Sequence, residues 1–196
     1  MARQKGDHFY KKAKETGFAA RSVFKLEEID QKHALYRNGG KVLDLGCSPG
    51  SWMQYAASKV GPEGRVLGVD LAEITVGAPN SIFHQMDIFD LRIDEDPIKD
   101  LVPFDFVQSD AMTKTTGIPA VDCAASIGLV EYALYLSGKG ALRPGGRLLA
   151  KVFEGPGYQE FLKDFRKAFK KTEIVKPKAT RTRSREVYLL GLGFLC

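Results

Sequence analysis

The chain has 196 residues, is 44% hydrophobic and 27% charged, and carries a formal net charge of +5. That length supports one α/β core rather than two, and no apolar run is read as reaching the roughly 18 residues of a membrane span. Its three cysteines, Cys47, Cys123 and Cys196, form no CxxC pair and no metal-ligand spacing, which excludes a disulfide scaffold, predicts no bound metal and favours a reducing, cytoplasmic setting.

In chain order, residues 1–25 hold seven Lys/Arg against two acids. The opening stretch has no apolar h-region and so does not read as a secretory signal. Residues 1–17 are expected to be a basic, flexible segment. From Phe18 to His33, the apolar residues Phe18, Val23, Phe24, Leu26 and Ile29 recur among charges and predict an amphipathic helix. Asn38-Gly39-Gly40 is a turn. Lys41–Leu45 is the first predicted strand, Ser51–Val60 a helix closed by Gly61-Pro62, and Arg65–Asp70 a second strand. Short strands follow near Ile82–His84 and Phe104–Gln108, and a long helix near Asp122–Leu136. Arg143-Pro144-Gly145-Gly146 is a turn before the strand Arg147–Val152. Tyr158–Phe169 reads as a helix, and Thr172–Val175 and Arg185–Gly191 as the last two strands. Strands alternating with helices predict an α/β fold, a Rossmann-like, mostly parallel seven-stranded sheet with helices on both faces, formed as a single domain over 1–196.

In such sheets a ligand sits beyond the carboxyl ends of the strands, so the residues after each strand are the ones to inspect. After the first strand comes Gly46-Cys47-Ser48-Pro49-Gly50-Ser51-Trp52. Its glycines let the backbone turn sharply and approach a ligand, and the helix that follows points its first N–H groups there. The spacing is GxxxG rather than GxGxxG, so the pyrophosphate-binding fingerprint is absent. Asp70 ends the second strand, Asp87 follows the third and Asp110 the fourth. Asp70 is placed to accept from a ribose diol and Asp87 from an adenine amino group. Carboxylates around an adenosine-shaped site suit the sulfonium and ammonium of S-adenosylmethionine. The plainer reading of each strand-end aspartate is a helix N-cap.

Lys151 lies in the apolar strand Leu148-Leu149-Ala150-Lys151-Val152-Phe153, where a lysine is costly unless paired or functional. Lys25 is a candidate neighbouring amine, and Asp110 and Glu186 are candidate orienting carboxylates. Such a set suits a ribose 2′-hydroxyl, a poor nucleophile that needs a group to receive its proton. The plainer reading of each is a surface ion pair or a strand-end charge.

These segments, taken together, resemble the FtsJ/RrmJ-type ribose 2′-O-methyltransferases. The matching pieces are Arg21-Ser22-Val23-Phe24-Lys25-Leu26, the run at 43–52, GVDL at 68–71, Ser109-Asp110, Ala150–Gly155 and Ser184–Tyr188. They follow the family's order and cover nearly the whole chain. The resemblance implies a Lys-Asp-Lys-Glu tetrad on Lys25, Asp110, Lys151 and Glu186, with Lys151 central. It implies donor-binding positions at Gly50, Trp52, Asp70, Asp87 and Asp110. It also implies a substrate in RNA: a uridine of 23S ribosomal RNA in the assembled large subunit, without DNA or membrane partners, for a monomer. One departure stands out, because many relatives read Met-Ala-Pro-Asn where this chain has Ala111-Met112-Thr113-Lys114.

Charge patterning suggests a polyanion partner, the plainer reading being a pair of solvated surface segments. Residues 163–185 hold ten Lys/Arg against two acids, so the two basic ends together carry +13 and the remainder −8. The runs Lys11-Lys12-Ala13-Lys14 and Arg181-Thr182-Arg183-Ser184-Arg185 suit phosphate contacts, and methylated ribose implies reading of RNA shape and its 2′-hydroxyls. Three alternatives stay open on sequence alone: a transfer RNA target, a non-enzymatic RNA-binding assembly factor, and a nucleotide-dependent oxidoreductase.

Overall fold

The computed structural model describes residues 8–181 and 184–195. The expectations that fall on 1–7, on Thr182 and Arg183 and on Cys196 lie outside the described residues. In chain order the elements are α1 (His8–Glu15), α2 (Val23–His33), β1 (Lys41–Leu45), α3 (Ser51–Val60), β2 (Arg65–Asp70) and β3 (Ser81–Gln85). Then come one 3-10 turn (Ile88–Asp90), β4 (Phe104–Ser109), α4 (Pro119–Leu136), β5 (Leu142–Phe153), α5 (Tyr158–Lys167), β6 (Phe169–Val175) and β7 (Glu186–Phe194). The seven strands form one sheet in the order β3-β2-β1-β4-β5-β7-β6. The first five are mutually parallel, and β7 enters antiparallel between β5 and β6. The predicted mostly parallel α/β sheet is therefore the observed fold.

Strand alternation builds two cores from one sheet. Leu43, Leu45, Leu67 and Leu148 face one side, where they pack with α4 and α5 residues such as Val130 and Phe165. Val42, Phe106, Leu149, Tyr188 and Leu190 face the other, with α2 and α3. Every residue of β4 is buried, as a central parallel strand covered on both faces requires. The strand order reverses between β1 and β4, which opens a crevice at their carboxyl ends.

Four local expectations are revised. The basic segment 1–17 contains a helix, α1, anchored by buried Ala13 and by the Phe9 ring packed at a tilt on Phe24, centroids 5.8 Å apart. The helix predicted from Phe18 begins only at Val23. The chain before it is held by α3 instead, through the Ala19 N–H donating to Gln54 Oε1 at 3.1 Å and the Trp52 Nε1–H donating to the Ser22 carbonyl at 3.1 Å. The Arg143–Gly146 turn survives as an irregularity inside β5, since Phe104 pairs with Leu142 but Phe106 with Arg147. Finally, Pro119–Ala141 is by length and composition apolar enough to cross a membrane, contrary to the sequence expectation. Its apolar residues supply the core instead: Cys123, Leu129, Val130, Ala133 and Leu136 are buried against the sheet.

Candidate active site

A cavity of about 270 Å³ lies at the crevice, lined by Gly46, Ser48, Asp70, Asp87, Asp110 and the start of the following loop at Ala111–Thr113. The three predicted acids thus meet around one space. Asp70 is fixed by two backbone donors, the Ser48 N–H on Oδ2 at 2.9 Å and the Ala72 N–H on Oδ1 at 2.8 Å. Asp87 caps the 3-10 turn by accepting from the Phe89 N–H at 3.0 Å. The cap leaves acceptor capacity on Asp87, since each carboxylate oxygen has two lone pairs. Leu71, Ile88 and Phe89 give the cavity an apolar side suited to a flat base.

Gly50 and Trp52 are placed elsewhere. Gly50 has φ +110°, and a Cβ there would meet the Val76 carbonyl oxygen at 2.3 Å. The glycine is demanded by the 71–79 loop docking on the turn, which also donates from Thr75 N–H to the Pro49 carbonyl at 3.0 Å. Trp52 is 2% exposed and stacks on Tyr188 with ring centroids 5.8 Å apart. Neither residue is among those lining the cavity. Both hold elements that shape it.

Asp110 joins the cavity to the catalytic candidates. Its Oδ1 accepts from the Tyr188 hydroxyl at 2.7 Å and lies 3.1 Å from Lys151 Nζ. The same ammonium donates to the Asp110 backbone carbonyl. Lys25 Nζ pairs with Glu186 Oε1 at 2.5 Å, the two side chains being 12% and 13% exposed. The four predicted residues therefore assemble as two lysine–carboxylate pairs, Lys151 with Asp110 and Lys25 with Glu186. Which acid serves which lysine was not readable before the strand register was known.

Tyr188 links the two pairs, and sequence reasoning passed over it. It is fully buried, its hydroxyl is on Asp110, and Lys25 Nζ sits 5.7 Å from its ring centroid. Burial first, then the charges of Asp110 and Glu186, push its phenol well above the ordinary value, so it stays an O–H donor. One signal in the chain bears on this position: period two from Glu186 puts Tyr188 on the same face. The antiparallel register of the folded sheet then sets it opposite Lys151.

The basic ends of the chain converge on the α2 side of the sheet. Lys12 Nζ lies 4.3 Å over the Phe24 ring. The segment before β7 docks on α2, with the Lys178 N–H donating to Glu28 Oε2 at 2.8 Å and Ala179 buried. Lys11 and Lys14 of α1 and Lys178, Arg181 and Arg185 of the segment before β7 are exposed. Among the described residues, no His/Cys/Asp/Glu group is arranged to hold a metal ion, and Cys47 and Cys123 are buried free thiols.

Comparison with known proteins matches the FtsJ-like methyltransferase family model to residues 18–194. A Bdellovibrio bacteriovorus protein named Ribosomal RNA large subunit methyltransferase E is 48% identical over 190 residues, covering 95% of this chain and 96% of that one. A Treponema denticola protein of the same name is 44% identical over 190 residues, covering 96% and 94%. Among solved structures, a Plasmodium falciparum chain described as a ribosomal RNA methyltransferase superposes with a TM-score of 0.78 over 91% of this chain and 99% of that one. At 24% identity that likeness speaks to the fold.

Proposed function

The chain belongs to the FtsJ-like methyltransferase family, and from that premise we propose that it transfers a methyl group from S-adenosylmethionine to a ribose 2′-hydroxyl of large-subunit ribosomal RNA. The substrate reading follows the names of the relatives, which are ribosomal RNA large subunit methyltransferases. A uridine of 23S RNA in the assembled subunit is the proposed target. The protein works on it as a cytoplasmic monomer whose single domain carries both donor and substrate surfaces.

The observation that carries the proposal is the double duty of Asp110. Asp110 lines the cavity, and its carboxylate holds the Lys151 ammonium. Donor site and catalytic amine are thereby fixed against each other, and positioning is what methyl transfer to a hydroxyl most requires. The residues present fit the donor. Asp70, Asp87 and Asp110 surround one space beside an apolar side, which matches a cation, a ribose diol and an adenine, and no diphosphate cradle is needed. Bound there, S-adenosylmethionine supplies an electrophilic methyl group.

The chain's own residues do the rest. Asp70 accepts from the ribose hydroxyls, Asp87 from the adenine amino group, and Asp110 faces positive charge. Gly50 and Trp52 serve the donor indirectly, by seating the 71–79 loop and Tyr188. Lys151 orients the target hydroxyl and, once in its neutral amine form, receives its proton. Asp110 and the Tyr188 hydroxyl fix the lysine, while Glu186 fixes Lys25 beside it. Exposed basic residues of α1 and the segment before β7 hold the RNA backbone, with affinity that falls as salt rises.

A methyl-transfer assay with labelled S-adenosylmethionine tests this on three substrates: intact large ribosomal subunits, free ribosomal RNA and bulk transfer RNA. The expected order is intact subunits first, with a 2′-O-methylated nucleoside as product. Preferential labelling of transfer RNA contradicts the target, and RNA binding without any labelling contradicts the chemistry.

A further inference from the structure

Residues 111–118 run from β4 to α4 without helix or strand, and their first part, Ala111, Met112 and Thr113, walls the cavity. This is the stretch where the sequence departs from the family's common pattern. The loop is pinned at both ends. At its start, the Ala111 backbone presses on Gly46, where a Cβ would meet Ala111 Cα at 2.4 Å. At its end, a single side chain from the first turn of α4 takes hold. Asp122 Oδ1 accepts from the Thr116 N–H at 2.7 Å and the Thr116 hydroxyl at 2.9 Å, and Oδ2 accepts from the Gly117 N–H at 3.2 Å. Thr116 Oγ1 in turn accepts from the Ile118 N–H at 3.1 Å. Asp122 is only 7% exposed, and both of its oxygens are spent on the loop.

We infer that Asp122 is a positioning residue for the methyl donor: by clamping Thr116 and Gly117 it holds Met112 and Thr113 in place as a preformed cavity wall. The inference rests on reading the cavity as the donor site. A carboxylate suits the task because it offers acceptors on two oxygens to three donors at once. The hydrogen bonds from the Thr116 backbone and hydroxyl and the Gly117 N–H hold its carboxyl below the ordinary range, so the clamp stays ionised in neutral solution. A preformed wall lowers the ordering cost of binding. Loss of the clamp therefore appears in donor affinity more than in turnover.

The test uses Asp122→Ala, Asp122→Asn and Thr116→Val in the full chain, with S-adenosylhomocysteine as the probe for calorimetric binding and S-adenosylmethionine for kinetics. Asp122→Ala is expected to raise the Kd and the KM about tenfold, with kcat falling less, because several hydrogen bonds to the loop vanish together. Asp122→Asn keeps the Oδ1 acceptor but loses the one facing Gly117, and falls between. Thr116→Val loses one hydroxyl and is expected to shift Kd by about threefold or less. It also serves as the reporter should Asp122→Ala fold poorly, which thermal unfolding of the ligand-free proteins reveals. Equal Kd values for wild type and all three variants overturn the clamp. A wild-type chain that binds no S-adenosylhomocysteine overturns the donor-site reading itself, a separate outcome.

Discussion

Strand β4 carries Asp105 near its beginning and Asp110 just past its end, and the two aspartates are held in contrasting ways. Asp105 Oδ1 accepts from Arg37 Nε at 2.7 Å and Arg143 Nε at 2.6 Å, while Oδ2 accepts from Arg37 Nη2 at 3.0 Å and the Lys41 N–H at 2.8 Å. Burial alone would push this carboxyl up, but hydrogen bonds from Arg37, the Lys41 backbone and Arg143 outweigh it and hold it below the ordinary range. Its partners are arginines, which keep their charge at any working pH. Asp110 instead meets one lysine and one tyrosine, both on Oδ1, and faces a cavity. A lysine can give up its proton where an arginine cannot. At the amino end of the sheet the carboxylate ties the chain before β1 to the turn in β5. At the carboxyl end, hydrogen-bonding capacity is left for a ligand.

The sharpest way to break this contrast is to remove each acid in turn. Asp110→Asn, which keeps an acceptor for the Tyr188 hydroxyl and Lys151, should lower kcat by about a thousandfold, the scale of a lost acid–base arrangement, while urea unfolding changes far less. Asp105→Ala should do the reverse. It strands two arginines on a partly buried tie and should cost about 3 kcal/mol of stability, with kcat within twofold of wild type as a rough bound. Comparable activity losses in both variants would erase the distinction.

A smaller effect separates the two lysine–carboxylate pairs. Glu186→Gln keeps the shape but removes the charge facing Lys25, and kcat should fall by about tenfold, well short of the Asp110 variant. The smallest expected effect concerns pH. Because the folded-state pKa of Asp105 is depressed, its stabilisation is complete above the unfolded carboxylate value of about 3.9 and is lost as pH falls through the folded value. The stability gap between wild type and Asp105→Asn, measured by urea unfolding, should therefore be full at pH 7 and shrink toward pH 3. A gap independent of pH would contradict the ionic character of the tie.

The sheet was legible because its strands are short apolar runs separated by glycine turns, and period two then assigns the faces. Asp70, Asp87 and Asp110 were legible as a group because strand ends in a parallel sheet gather at one edge. The lysine pairings were not, since only the register of β5 with β7 sets Lys151 opposite Tyr188. Tyr188 itself reads as one more core aromatic in a strand. Helix α1 was missed because its basic sequence carries few apolar residues, and its hold comes from Phe24 in another helix. The packing of Val76 against Gly50, a contact across 26 residues of chain, is announced by no local pattern.

Lys151→Ala is the most direct test of a catalytic amine standing beside the donor cavity. Single-turnover transfer of labelled methyl to large ribosomal subunits should drop by about a thousandfold or more, while S-adenosylhomocysteine and RNA still bind with near wild-type affinity. Transfer at the wild-type rate by this variant would contradict the role given to Lys151 and the reading of the whole corner.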